Sequence, residues 1–199
     1  MGADLAPTTV PIDEAPLIAA CVRGERAAER TLFRREYPRV NATVFRILGT
    51  TRDTDDLVQD TFIAVFRALP KFRGDSKLST WIDRIAVRVV FAHIARRKKL
   101  PVSLEVMPEQ ADPTSLLDER AEARDGLRRL YQVLGRLKPE ARLAFALYAI
   151  DGRSIAEVAE ITETTEVAAK LRIWRARREV EKRAKTDPIL STFLVPETP

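Results

Sequence analysis

The pattern of apolar and polar positions along the chain predicts helices and no strands. Apolar residues recur every three or four positions from about Leu17 to Lys99, and again from Leu116 to about Lys185. Residues 100–115 interrupt the pattern with three prolines, which lack a backbone donor and disfavour helix in the preceding residue. The sequence therefore predicts an all-α protein with two small helical domains joined by a Pro-rich linker.

The breaks in this pattern set the predicted domain boundaries. Apolar periodicity stops at segments rich in proline or small polar residues, at both ends of the chain and in its middle. The resulting division is a flexible leader at 1–16, a first domain at 17–99, a linker at 100–115, a second domain at 116–185 and a tail at 186–199.

An acidic amphipathic helix is predicted from about Asp53 to Leu69. Its predicted core stripe consists of Val58, Phe62, Val65, Phe66 and Leu69. Its opposite face consists of Asp56, Gln59, Asp60, Ile63 and Arg67. Carboxylates in a first turn complement the helix dipole, so an ordinary solvated helix start accounts for them. A docking face for a partner is the alternative, and the spacing alone leaves both open.

A loop and a second helix follow in the first domain. The loop Lys71–Lys77 holds Phe72 among three cations. This composition suits either an unpaired base with its phosphates or a surface turn whose ring lies in the core. The helix from about Ser79 to Lys99 opens with Trp81 and ends in four cations, which also stabilise a helix C-terminus. Its predicted buried face is Ile82, Ile85, Ala86, Val89 and Val90. Its predicted exposed face is Asp83, Arg84, Val87 and Arg88.

The second domain carries the pattern of a helix-turn-helix. Ser154 and Glu157 have the spacing of a capping box at the start of a short helix, and a longer helix is predicted from Glu166 to Lys185. In this motif the second helix enters the major groove. Its predicted inward stripe is Ala169, Ile173, Ala176 and Val180. From Lys170 onward it has eight cations against two acids, which favours nucleic-acid contact over simple solvation.

Composition agrees with a nucleic-acid partner and argues against an enzyme. The net charge is +5 and the pI is about 9.6. The single cysteine, Cys21, excludes an internal disulfide framework and fits a reducing cytoplasm. His93 is the only histidine, and we find no glycine-rich phosphate loop or metal-ligand spacing, so no cofactor is predicted. No signal-peptide pattern or membrane-length apolar run is present, so we expect a cytoplasmic protein without membrane insertion.

Taken together, these segments resemble the extracytoplasmic-function class of bacterial RNA polymerase sigma factors, which consist of little more than two helical domains, sigma-2 and sigma-4. The match covers roughly Ala27–Lys99 and Leu127–Arg183. Asp55–Phe62 is similar to the polymerase-clamp helix of the family, Lys71–Gly74 to its −10 element loop, and Thr80–Ala86 to its −10 reading helix. Gly152–Glu160 falls on the family pattern Gly-Leu-Ser-x-x-Glu-Ile-Ala-Glu, and Lys170–Arg177 fits its recognition helix.

The resemblance implies a promoter-specificity subunit that directs RNA polymerase and assists melting of the −10 element. It implies a polymerase-docking face, against the clamp helices of the largest subunit, made of Asp53, Asp56, Gln59, Asp60 and Ile63. It implies −10 DNA contacts from Lys71, Phe72, Arg73, Trp81, Arg84, Arg88, Arg96 and Arg97. It implies −35 DNA contacts from Lys170, Arg172, Trp174, Arg175, Arg177 and Arg178. It also implies contact with the beta flap and control by an anti-sigma factor.

Some positions depart from the family pattern. Arg88 replaces the usual Asn of the −10 helix, and Ala168 and Leu171 replace small polar residues of the recognition helix. Leu171 and Trp174 are expected on an exposed face, and we hypothesise that the apolar tail Ile189–Val195, or a partner, covers them. The alternative function is a free-standing helix-turn-helix DNA-binding regulator. Such a regulator has no need of the clamp-like helix followed by Phe72 and Trp81.

Overall fold

The computed structural model describes residues 14–97 and 117–192. The predicted linker 100–115, most of the predicted leader and the end of the predicted tail therefore lie outside the described residues. Within the described ranges all regular structure is helical, as the sequence predicts. The first helix begins at Glu14, inside the predicted leader, and ends at Val22.

The first domain consists of four α-helices. They are α1 (Glu14–Val22), α2 (Arg26–Leu48), α3 (Thr54–Ala68) and α4 (Leu78–Arg97), with a short 3-10 turn at Leu69–Lys71. Helix α2 ends because Gly49 adopts φ 68°, a left-handed conformation that side-chain-bearing residues rarely take, and donates its N–H to the Phe45 carbonyl at 2.7 Å. The predicted stripe of α3 is largely confirmed, since Val58, Phe62, Val65 and Leu69 are buried, whereas Phe66 is only partly buried.

The second domain contains the remaining helices of the described chain. They are α5 (Leu117–Arg136), α6 (Pro139–Phe145) continued by a π-helical turn (Ala146–Ile150), α7 (Ile155–Ile161), α8 (Glu166–Ala184) and α9 (Pro188–Thr192). The predicted capping box is confirmed, because the Ser154 hydroxyl accepts from the Glu157 N–H at 3.2 Å and the Ser154 N–H donates to the Glu157 carboxylate at 2.9 Å. The predicted inward stripe of α8 is likewise buried.

The two domains pack directly on each other. One continuous apolar cluster runs from the first domain, where it includes Val87, into the second, where it includes Leu143 and Ile161. Helix α4 contacts α6 and α7, and α2 contacts the π-helical turn. The Tyr131 ring also lies against Gly49, so closely that a Cβ at this glycine would collide with it. The hydroxyl of Tyr131 donates to the Arg46 carbonyl at 2.6 Å.

This packing overturns part of the predicted exposure of α4. Asp83 and Val87 were expected on the solvent face, yet they are only 1% and 4% exposed. The reason is that the face of α4 turned away from its own domain is covered by the second domain. Arg88 does remain exposed, as predicted.

Candidate functional site

The acidic face of α3 is open to solvent. Asp56, Gln59, Asp60 and Ile63 are all exposed, and Ile63 is a large apolar side chain with 41% of its surface accessible. Because these residues lie on the side of α3 away from the core, the helix presents three polar side chains and one apolar one together. A partner can therefore reach them while the two domains stay packed.

An apolar groove adjoins this face, and the side of it formed by α2 was not predicted from the sequence. Phe33 and Tyr37 of α2 stack with their rings 5.3 Å apart, and Phe33 lies 4.6 Å from the Phe62 ring of α3. Phe33 is 38% exposed. The i, i+4 spacing of Phe33 and Tyr37 was the available signal, but only the fold brings them to Phe62 and Ile63.

Asp53 differs from the rest of the predicted docking face. It lies just before α3, where its carboxylate accepts from Arg97 of α4 at 2.6 Å. The His93 Nε2 atom lies 3.5 Å from the same carboxylate, and burial lowers the pKa of His93. Asp53 and Arg97, predicted for different partners, are thus paired with each other, and they fasten the start of α3 to the end of α4.

The predicted −10 loop brings its aromatic residue against the first residues of α4. The Phe72 and Trp81 rings are 5.2 Å apart and tilted by 56°, and both are partly buried against the core. Lys71 and Arg73 on either side of Phe72 are exposed. Phe72 therefore has features of both predicted alternatives. Its ring packs partly against the core, as in a surface turn, and the cations around it face solvent, as in a loop that binds a base and its phosphates.

Two arginines of α4 contact the helix-turn-helix. Arg84 donates to the Glu160 carbonyl at 3.1 Å and to its carboxylate at 2.9 Å. Arg88 donates through Nε to Glu163 at 3.2 Å, and its second hydrogen bond to Glu163 makes the pair bidentate. These hydrogen bonds are the main reason that the pKa of Glu163 is lowered. The predicted −10 readers Arg84 and Arg88 are therefore engaged by the second domain. Arg96 and Arg97 at the end of α4 are exposed.

Helix α8 presents a basic surface with one aromatic residue. Lys170, Trp174, Arg175 and Arg178 are exposed, and the Arg178 guanidinium lies 4.9 Å from the centre of the Trp174 ring. Arg172 and Arg177 are partly buried. All six predicted −35 residues thus lie on one helix, and four of them are exposed.

The described part of the tail does not cover the apolar patch of α8. Helix α9 packs on α5 and α8 and buries Leu190, and Asp187 pairs with Arg129 of α5 at 3.0 Å. Leu171 and Trp174 stay 43% and 51% exposed. The hypothesis that the tail shields them is wrong for residues up to 192, because the tail turns toward α5 instead.

A group of charges built around two buried carboxylates joins the domains, and no pattern in the sequence indicated it. Asp83 of α4 and Asp151 of the second domain each have only 2% of their side chain exposed. Arg39 pairs with Asp83, Arg46 pairs with Asp151, and Arg153 bridges the two carboxylates at 3.2 and 2.9 Å. Burial raises the pKa of Asp83 despite the two arginines beside it. We call these five residues the interdomain charge network.

Residues 14–97 and 117–192 contain no group of three or more His, Cys, Asp and Glu side chains that could hold a metal ion. None of the helices described is long and apolar enough to cross a membrane.

Comparison with known proteins identifies both domains. Residues 32–100 match the family model for sigma-70 region 2, and residues 127–180 match the model for sigma-70 region 4. The RNA polymerase sigma-H factor of Pseudomonas aeruginosa is 29% identical over 83% of this chain and 91% of its own length. The ECF RNA polymerase sigma factor SigM of Mycobacterium tuberculosis is 31% identical over 85% of this chain and 83% of its own length.

Solved structures are similar in fold. CnrH, solved in complex with the cytosolic domain of CnrY, superposes with a TM-score of 0.60 at 27% identity, over 86% of this chain and 97% of its own. The sigma factor RpoE of Bartonella quintana, solved with the anti-sigma factor NepR, superposes with a TM-score of 0.57 at 20% identity, over 79% of this chain and 97% of its own.

Proposed function

Because the chain belongs to the ECF family of RNA polymerase sigma factors, we propose which of its surfaces carry out promoter recognition. The proposal assigns three surfaces to three partners: the exposed face of α3 to core polymerase, the Phe72 loop with α4 to the −10 element, and α8 to the −35 element. The protein acts in the cytoplasm, where polymerase and promoter DNA meet. We propose that the predicted domains, 17–99 and 116–185, contain these three surfaces.

Polymerase docking is assigned to Asp56, Gln59, Asp60 and Ile63. The supporting observation is their shared exposure beside the apolar groove that Phe33 and Tyr37 help to form. An apolar side chain beside carboxylates suits a partner that presents apolar and basic residues together. We propose the clamp helices of the largest polymerase subunit as that partner. Asp53 is paired with Arg97, and this pair holds the start of α3, and with it the docking face, in place.

The −10 element is assigned to the surface around Phe72 and Trp81. Exposed Lys71 and Arg73 suit phosphates, and the two aromatic rings suit an unstacked base. Extruding a base costs about a few kcal/mol, which a base-specific pocket can offset, so melting needs no ATP. Arg84 and Arg88 complete this surface when the second domain moves away. Arg96 and Arg97 extend it toward the end of α4.

The −35 element is assigned to the exposed cations of α8. Lys170, Arg175 and Arg178 neutralise phosphates or read base edges, and Arg contacts guanine with two hydrogen bonds. Trp174 holds Arg178 by a cation–π contact and so orients it. The second domain also contacts the beta flap, and an anti-sigma factor restrains the whole protein, in line with the anti-sigma complex of the structurally similar RpoE.

The observation that carries the proposal is the open acidic face of α3, so the experiment reverses its charge. We expect run-off transcription from core polymerase and a promoter library to require this protein, and to fall about tenfold or more in the Asp56→Arg, Asp60→Arg double variant. The matched control, Glu25→Arg with Glu29→Arg, makes the same charge change elsewhere in the first domain and should retain transcription.

Three results would contradict the proposal or a part of it. If the α3 variant transcribes as well as the control variant, the docking face lies elsewhere. If core polymerase is not stimulated by the wild type, while the protein alone binds specific duplex DNA, the free-standing regulator is the better account. If the variant loses transcription yet still co-purifies with core polymerase, α3 acts after docking.

A further inference from the structure

The second domain lies on the surface that the first domain needs for DNA. Arg84 and Arg88 are both bonded to the helix-turn-helix, and Val87 between them is buried. While Arg84 and Arg88 donate to Glu160 and Glu163, these donors are engaged and are not free to bind the phosphates of a DNA strand. The face of α3 assigned to polymerase is exposed in the same arrangement.

The surface ion pairs alone do not hold the domains together. Arg88 and Glu163 have 63% and 48% of their side chains exposed, and pairs of this kind contribute little in water. The interdomain charge network is different, because both of its carboxylates are buried and each depends on arginines from both domains. While the domains are packed, removing one partner of a buried pair is strongly unfavourable because the other charge stays buried. When the domains separate, these charges are exposed to water instead.

Arg153 is the central residue of this network. It occupies the position of Leu in the family pattern Gly-Leu-Ser, and its guanidinium reaches Asp83 of the first domain and Asp151 of its own. Leucine could make neither bond. The charge network that joins the domains of this chain therefore includes a residue that departs from the pattern.

We propose that the packed arrangement is an autoinhibited state in which Arg153 and the interdomain charge network latch the second domain over Arg84 and Arg88. Docking on polymerase through α3 is possible in this state, and reading of the −10 strand requires the latch to open. The inference rests on the proposed function for the identity of the DNA. The latch itself is a property of the free protein and is tested without polymerase.

The first test opens the latch with Arg153→Leu. Dyes on Asp55→Cys and Lys182→Cys, in a Cys21→Ala background, report domain separation by energy transfer. Fluorescence anisotropy with oligothymidylate of about twelve nucleotides reports access to the single-strand surface. We expect lower transfer and roughly five- to tenfold tighter binding, since apparent affinity scales with the open fraction. Arg128→Leu, which removes an arginine paired with Asp125 on its own helix, should match the wild type.

A second variant guards against a folding defect in Arg153→Leu. Glu160→Gln with Glu163→Gln removes the negative charge from both ion pairs, and we expect binding about two- to threefold tighter than in the control Glu166→Gln with Glu179→Gln, which removes two exposed charges from α8. Unchanged energy transfer in folded Arg153→Leu overturns the latch. Lower transfer without tighter binding overturns the masking of Arg84 and Arg88. If the energy-transfer and anisotropy changes are observed but the protein does not support run-off transcription, the promoter role is wrong and the latch is still supported.

Discussion

Arg142 is the residue at which we expect one substitution to weaken both the fold and the domain contact. It lies on α6, and its guanidinium donates to the Ile47 carbonyl at 3.1 and 3.2 Å and to the Leu48 carbonyl at 2.9 Å. These carbonyls end α2, so a cation of the second domain caps a helix of the first. Burial lowers the pKa of Arg142, but an arginine remains charged at neutral pH.

The expected cost of Arg142→Met follows from these contacts. Methionine keeps the apolar stem and removes every donor. A hydrogen bond to a charged group contributes about 1.5–3 kcal/mol, and a cation at a partly buried helix C-terminus contributes up to about 2 kcal/mol. Dehydrating the arginine offsets part of this sum. We therefore expect the free energy of unfolding to fall by about 2–4 kcal/mol.

Urea unfolding followed by circular dichroism measures this change. A single transition with a lower midpoint and an unchanged slope is expected, because one apolar cluster spans both domains. Arg67→Met, at an exposed position near the end of α3, is the control and should shift stability by less than about 0.5 kcal/mol. A loss below about 0.5 kcal/mol in Arg142→Met would refute the capping role.

Two further predictions concern Tyr131 and Trp174. Burial raises the pKa of Tyr131 to about 12, above its ordinary value of 10.0, so the unfolded chain loses this proton first and stability should fall as the pH rises between these values. Unfolding experiments across that range should show the fall in the wild type and a smaller one in Tyr131→Phe; equal slopes would contradict the assignment. Trp174→Ala removes the ring under Arg178 and should weaken binding to duplex promoter DNA about two- to fivefold, measured by anisotropy. Unchanged affinity would show that the ring does not orient Arg178 for DNA.

Local patterns in the sequence predicted the helices well. The capping box at Ser154, the stripe of α8 and the apolar face of α3 each depend on residues within one or two turns of each other. The first two are confirmed, and the third is confirmed except for Phe66, which is partly buried. Helical periodicity and capping act over such short distances, so one sequence is enough to detect them. The two-domain division also matches the two family regions.

Residues that depend on distant partners could not be predicted. Asp83 reads as a surface residue because it is charged and shares a predicted face with Arg84 and Arg88. Its burial depends on pairing with Arg39 of α2 and with Arg153, seventy residues along the chain. Arg84 and Arg88 were correctly identified as cations on one face, but nothing nearby indicates that Glu160 and Glu163 meet them. Phe33 was missed for the same reason, since its contact with Phe62 exists only after α2 and α3 pack.

The contact between Gly49 and Tyr131 has a consequence for the evolution of this chain. Any side chain at position 49 meets both an unfavourable backbone angle and the aromatic ring of the other domain. Replacing the tyrosine by a small residue would relieve the collision but not the backbone angle. Relatives that carry a larger residue at position 49 should therefore also lack the ring at position 131 and end the second helix differently. Substitution at these two distant sites should be statistically coupled among relatives whose domains meet in this way.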